Sequence, residues 1–241
     1  MSNVSQLNAA QPVDAAGLPS TAGLSLTERA YHVLRREIIT CQLAPGAEVM
    51  EQELSERFEM SKTPVREALV RLVSEGLVEA YPRRAYRIAH ITIQSVNDLF
   101  GVRAALESAG AALAAARINS DFIAGLQVLA DASYQVGESR SRSQFVDANR
   151  QFHLAISAHS GNARLHALVV GLVDQGERFF HMGAQMRDVN SETNHEHHRL
   201  VEVLARGEAE QARLLMIEHI ESTRRGLLNS LINSTHPGVR V

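Results

Sequence analysis

The sequence predicts a mainly α protein in two parts: an N-terminal winged helix-turn-helix domain over residues 24–91, and an all-α helical bundle over residues 92–235. Three observations predict it. Three short amphipathic stretches, followed by two short strand-like ones around a basic turn, fill residues 26–90. From Thr92 onward the apolar residues recur at helical spacing and no convincing strand is visible. Trp is absent, aromatics are 5% and the hydrophobic fraction is 45%, so the cores rest on Leu, Val, Ile and Ala, residues that suit packed helices.

The elements follow in order. Residues 1–23, rich in Ala, Ser, Gly and Gln, read as a disordered tail, and 236–241 as a second tail. Leu26 to Cys41 places Ala30, Val33, Leu34, Ile38 and Ile39 on one face, with Thr27 and Glu28 at its start. Leu43-Ala44-Pro45-Gly46 is a turn. Glu51 to Phe58 is a short helix. The next opens at Ser61 as N-cap with Pro64 in its first turn, runs through Leu69 and Leu72, and stops at Gly76. Leu77–Ala80 and Tyr86–His90 read as strands around Pro82-Arg83-Arg84. Helices are then expected at Ile93–Ala116, about 121–139, Ser143–His159, Asn162–Met186, Glu192–Arg206 and Glu208–Leu231.

Composition excludes some functions. No apolar run approaches the roughly 20 residues of a membrane span, and residues 1–23 lack the positive charge of a secretory signal. The single cysteine, Cys41, excludes an internal disulfide and a CxxC metal site. A cytoplasmic protein is expected. The net charge of −3 carries no global signal for nucleic acid, and residues 24–90 balance ten Arg and Lys against ten Glu. Attraction to DNA must come from where charges sit. They sit well for it. The helix that would enter the major groove starts with Ser61, Lys62 (the only lysine), Thr63 and Arg66, and the turn between the strands carries Arg83 and Arg84.

Histidines mark the second part. Asn149 and His153 are four apart and share a helix face. His197 and His219 lie in consecutive helices that can run antiparallel across Gly207. Three histidines and an oxygen would suit a divalent metal such as Zn or Ni, and a set of purely structural or solvated imidazoles would leave the same pattern. His181, His195, His198 and His236 read as surface residues. Glu196 adjoins His197 but points about 100° away along the helix, so no general base is evident and no enzyme is expected.

Residues 34–88 carry a dense resemblance. Leu43-Ala44-Pro45-Gly46, Glu53-Leu54-Ser55, Thr63-Pro64-Val65-Arg66-Glu67-Ala68-Leu69 and Glu75-Gly76-Leu77-Val78 resemble the N-terminal domain of the GntR family of bacterial regulators. The resemblance implies DNA contact at Gln52, Ser61, Lys62, Thr63, Arg66 and the wing tip. Two positions depart from the family pattern: Lys62 stands where Arg is usual, a point charge in place of a fork, and Ala85 where Gly is usual. Arg103-x-x-x-Glu107, Phe152-His153 with Ser160-Gly161-Asn162, and Glu196-His197 with His219 resemble the FCD ligand-binding domain of the FadR subfamily. That resemblance implies metal ligands at Asn149, His153, His197 and His219, a small organic acid as effector with Arg103 meeting its carboxylate, and a homodimer. Asn149 stands where the family has Asp, which leaves the site one unit more positive. Arg178, on a long central helix, is a second candidate for the effector. The expected function is a DNA-binding regulator, a repressor relieved by effector. The alternatives are a DNA-binding dimer whose C-terminal domain is metal-free or purely structural, and an acyl-CoA sensor, against which the histidine set argues.

Overall fold

The computed structural model describes residues 23–82, 85–186, 188–232 and 239–240. Most of the expected N-terminal tail, Arg83, Arg84, His236 and most of the C-terminal tail therefore lie outside the described residues. The chain forms two compact units: residues up to Arg35 with Val49–Tyr86, and Arg36–Glu48 with Arg87–Val241.

The N-terminal part of the chain forms α1 (Leu26–Ile39), β1 (Glu48–Met50), α2 (Glu51–Arg57), α3 (Lys62–Ser74), β2 (Val78–Tyr81) and β3 (Ala85–Ile88), with the strands in the order β1-β3-β2. The strand β1 was not expected. The start of α1 differs from expectation too. Ser25, not Thr27, caps it: the Ser25 hydroxyl accepts from the Glu28 amide at 3.2 Å and the Glu28 carboxylate accepts from the Ser25 amide at 3.0 Å, a reciprocal capping box. α2 ends with Glu59 in the left-handed region (φ 53); the Met60 and Glu59 amides donate to the Ser55 and Glu56 carbonyls. α3 ends the same way at Gly76 (φ 69), where the left-handed conformation needs no Cβ. These two stops fix where α3 begins and how long it is. Val65, Ala68, Leu69 and Leu72 of α3 and Leu34 of α1 are fully buried.

The second unit holds β4 (Ile91–Thr92), α4 (Ile93–Ala115), α5 (Ser120–Ala130), α6 (Ser139–His159), α7 (Ala163–Met186), α8 (Asn190–Ala205), α9 (Ala209–Ile232) and β5 (Val239–Arg240). Thr92 and Ser95 form a capping box at the start of α4. α4 is the central helix, packed on α6, α7, α8 and α9. Its small residues permit that: a Cβ on Gly110 would come within 3.2 Å of Leu165, and Ala111 and Ala114 are fully buried. Phe100, Phe152, Leu200, Leu204 and Met216 fill the core.

Three expectations fail here. The helix expected to reach residue 139 stops at Ala130, because the Tyr134 hydroxyl is pinned between the Ala184 carbonyl and the Val189 amide. Strands do exist in this unit: β5 pairs in parallel with β4, Val239 against Ile91, inside what was read as a tail. His181 is not on the surface but 4% exposed, on the part of α7 that is enclosed all round from Arg178 to Ala184.

Candidate nucleic-acid face and candidate metal centre

At the start of α3, Ser61, Lys62 and Thr63 are exposed and Pro64 is buried in the first turn. Ser61 occupies the N-cap position, but its hydroxyl makes no capping bond. The three side chains therefore project from the end of the helix, where backbone N–H groups also favour phosphate. Gln52 is exposed on α2 and bonded to Glu56. Arg66 is held differently. Its fork closes on the buried Glu51, Nε and Nη2 each 2.9 Å from a carboxylate oxygen, and the Tyr86 hydroxyl joins the same carboxylate at 3.2 Å. In this state Arg66 ties α3 to α2.

The second site is built by helix periodicity. Residues four apart on α4 place Arg103 and Glu107 on one face; the same spacing places Asn149 and His153 on one face of α6. α8 supplies Glu196 and His197, and α9 supplies His219. The ring nitrogens of His153, His197 and His219 include one from each that lie within 4.8 Å of one another, and all three rings are buried. His153 Nε2 and His219 Nε2 are 3.3 Å apart. Two nitrogens bound at about 2.0–2.1 Å to one tetrahedral ion stand about 3.3 Å apart. His197 Nε2 and Asn149 Oδ1 are buried without a hydrogen-bond partner. Two orphaned lone pairs beside two facing imidazole nitrogens are the donor set of a divalent cation, and the residues fit one.

The back of the site is carboxylate. His153 Nδ1 lies 2.5 Å from Glu107, and His219 Nδ1 lies 2.7 Å from Glu196. A carboxylate on Nδ1 fixes the tautomer and turns Nε2 inward. His197 has a ring in place of an acid, stacked on Phe152 with centroids 3.9 Å apart. Glu107 also accepts from Arg103 Nε at 2.6 Å, so one buried carboxylate joins Arg103 to a histidine of the cluster. Burial alone would raise the Glu107 carboxyl; Arg103 and His153 outweigh it and hold it down at about 2. Burial, opposed by Glu107, lowers His153 to about 4, and burial also holds His197 well below its ordinary value. Both rings are neutral, with lone pairs free for a metal.

Beside the cluster is a narrow pocket, closed to a water-sized group, lined by Arg103, Asn149, His153 and His219 together with Phe180 and Thr223. The structure thus brings together Arg103 and the four expected ligands. It places Arg178 elsewhere: Arg178 Nη2 donates to the carbonyls of Ala89 and His90 at 3.2 and 3.0 Å. Sequence reasoning missed Glu107 and Glu196 as partners of the histidines. Their spacing within their own helices was visible; the partner helix was not.

The buried histidines predict an acid-labile fold. His153, His197 and His181 (the last lowered to about 4 by burial and Arg142) take up protons in the unfolded chain near pH 6.5 and in the folded one only at lower pH. The unfolded state binds more protons between those values, so stability is whole above about 6.5 and falls as pH drops toward about 4. Glu107 acts in the same sense below about 4.5. Metal-free protein is expected to unfold at a lower urea midpoint at about pH 5 than at about pH 7.5; equal midpoints would mean that the rings are already charged in the fold.

An exposed, electropositive helix start in a helix-turn-helix, followed in the chain by a helical bundle with a buried histidine centre, defines a DNA-binding module joined to a small-ligand domain. The comparisons agree. The GntR family of bacterial regulatory proteins matches residues 26–88, and the FCD domain matches residues 98–222. The chain belongs to the GntR family, in its FCD-bearing branch. It is 31% identical over 148 residues to the HTH-type transcriptional repressor RspR of Escherichia coli K12, a match spanning 61% of this chain and 59% of that one. It is 29% identical over 200 residues to the repressor GlaR of the same organism, covering 79% of this chain and 90% of that one. Among solved structures, McbR/YncC of E. coli superposes with a TM-score of 0.70 at 25% identity, covering 86% of this chain and 98% of that one. Among the described residues no helix is long and apolar enough to cross a membrane.

Proposed function

We propose that the chain is a cytoplasmic, homodimeric transcription repressor that is not an enzyme. It binds double-stranded operator DNA through Ser61, Lys62 and Thr63 and changes its operator affinity when a small carboxylate binds beside a divalent metal. The observation that carries the proposal is the convergence of Arg103, Asn149, His153 and His219 on one narrow pocket, in a chain that begins with a GntR module. Asn149, His153, His197 and His219 would hold the ion, zinc or nickel by donor type. When bound, the ion supplies a Lewis-acidic point for a carboxylate. Arg103 offers a charge-assisted bond to the same group, and a neutral Asn149 leaves more positive charge there than an aspartate would. Whatever difference in affinity the effector has for the DNA-bound and free states appears, by linkage, as the change in operator affinity.

The homodimer has a candidate face. Between Asp98 and Arg117 the only charged side chains of α4 are Arg103 and Glu107, both buried. Its outward side is apolar: Val102 (48% exposed), Ala105, Ala109 and Leu113 (43%). The neighbouring α7 exposes Ala167, Leu168 and Gly171. An uncharged apolar surface across two packed helices suits a self-complementary interface. Leu113→Glu is expected to sediment as monomer where the native chain is a dimer; an unchanged sedimentation coefficient would remove this face from the proposal.

Operator titrations test the rest. Lys62→Ala is expected to weaken binding across sequences and lower the slope of log affinity against log salt by about one. Saturating carboxylate with zinc is expected to change native operator affinity by about 5–150-fold, the usual range of such coupling. If no member of a carboxylate panel shifts it, the switch is wrong and the second unit is structural.

A further inference from the structure

We propose that Glu51 is a positioning residue for operator recognition: it pre-orients Arg66 so that the end edge of the guanidinium meets a pair of acceptors on DNA. The inference rests on the reading of α3 as the helix that meets DNA. Glu51 opens α2 directly after β1, and Tyr86 lies in β3, the strand beside β1. Glu51 is 3% exposed and Tyr86 7%. Arg66, from α3, reaches this carboxylate with its side edge: Nε donates to Oε1 and Nη2 to Oε2, each at 2.9 Å. The Tyr86 hydroxyl donates to Oε1 at 3.2 Å. One buried carboxylate therefore joins the sheet, α2 and α3.

A guanidinium carries its N–H groups in one rigid plane, and the pairing with Glu51 uses only the side edge. The end edge remains, with one hydrogen on Nη2 and one on Nη1. The Arg66 side chain is 41% exposed, so the buried acid takes one edge and leaves the rest at the surface. Arg66 stands one helical turn after the exposed Lys62, on the same face of α3. Letting go of Glu51 to reach DNA is disfavoured. A stranded buried charge costs a factor of about 150 or more, and a bidentate base contact returns about 150-fold at most. Arg66 therefore stays on Glu51 when DNA arrives. The clasp also serves affinity. A free arginine gives up rotamers on binding, a loss of up to about tenfold per side chain; Arg66 has given them up on folding. The acceptor pair is two oxygens of one phosphate or O6 and N7 of one guanine, which offer a fork the same chemistry.

The test is a double-variant cycle in operator affinity, on a duplex that the native full-length protein selects from a random pool. Glu51→Gln keeps the shape and removes the charge. It is expected to weaken operator binding about tenfold in the native background and to have no further effect beside Arg66→Ala. Tyr86→Phe, a milder change that keeps the ring packed, is expected to cost about threefold on the same pattern. Arg66→Ala itself separates the two acceptors. A phosphate contact shows as a salt slope smaller by about one per bound subunit, a guanine contact as lost preference at one base pair. If Arg66→Ala changed neither, Arg66 would be a brace that never touches DNA and the inference would be overturned. Equal losses from Glu51→Gln with and without Arg66, or no loss at all, would overturn it too; weaker binding by Lys62→Ala would then keep α3 as the DNA-facing helix. Selection of no duplex by the native protein would overturn both.

Discussion

Purified native protein is expected to carry close to one divalent ion per chain, and His197→Ala to carry none. His197 Nε2 is 2% exposed, faces the other two rings and has no hydrogen-bond partner in the protein. A buried acceptor of this kind costs about 1–3 kcal/mol if nothing meets it, which a cation relieves. Structural metal sites of four ligands bind with about 10–16 kcal/mol, so losing one ligand of four forfeits several kcal/mol, or at least about a hundredfold in affinity. Elemental analysis by plasma mass spectrometry reads both proteins. Asn149→Asp serves as the opposite control: it adds a negative ligand, so metal affinity rises while affinity for an anionic effector falls. A native protein free of metal, with Asn149→Asp containing it, would show that the neutral amide had emptied the site. Equal metal in native protein and His197→Ala would show that the ion sits elsewhere.

Much of this architecture was legible in the sequence because local chemistry dictates it. Gly76 and Gly207 stop helices where only a residue without Cβ is comfortable, and the stretch from Ser61 to Pro64 announces a helix start. Part of the candidate site was legible for the same reason: Asn149 with His153, and Arg103 with Glu107, are four apart, and helix geometry puts each pair on one face. Long-range contacts were not legible. Nothing in the permissive run from Asp131 to Glu138 forbids a helix; the Tyr134 hydroxyl ends it through Ala184 and Val189, some fifty residues away. His181 follows an ordinary amphipathic pattern and is buried because α7 is enclosed along that whole stretch, where periodicity no longer separates inside from outside. Glu196 was set aside because its neighbour His197 points another way; its partner is His219, on the next helix.

Glu107 is where these two kinds of information meet, and removing it is expected to have the second large effect. Its carboxylate is 2% exposed and serves Arg103 through one oxygen and His153 through the other. Glu107→Leu leaves Arg103, itself 5% exposed, with its charge unpaired, and a stranded buried charge of this kind destabilises by about 3–5 kcal/mol. It also frees the His153 ring to turn, and loss of such a carboxylate lowers metal affinity by about 10–100-fold. The two effects separate in a double variant. Arg103→Leu with Glu107→Leu replaces the buried pair by apolar side chains of similar bulk and is expected to recover most of the stability, since such exchanges are often neutral. It does not restore the acid behind His153, so metal affinity stays low. Urea unfolding and metal titration on the three variants read the two quantities independently. If the double variant recovered both, Glu107 would serve only to neutralise Arg103; if metal affinity alone stayed low, Glu107 is the one side chain that holds both Arg103 and His153.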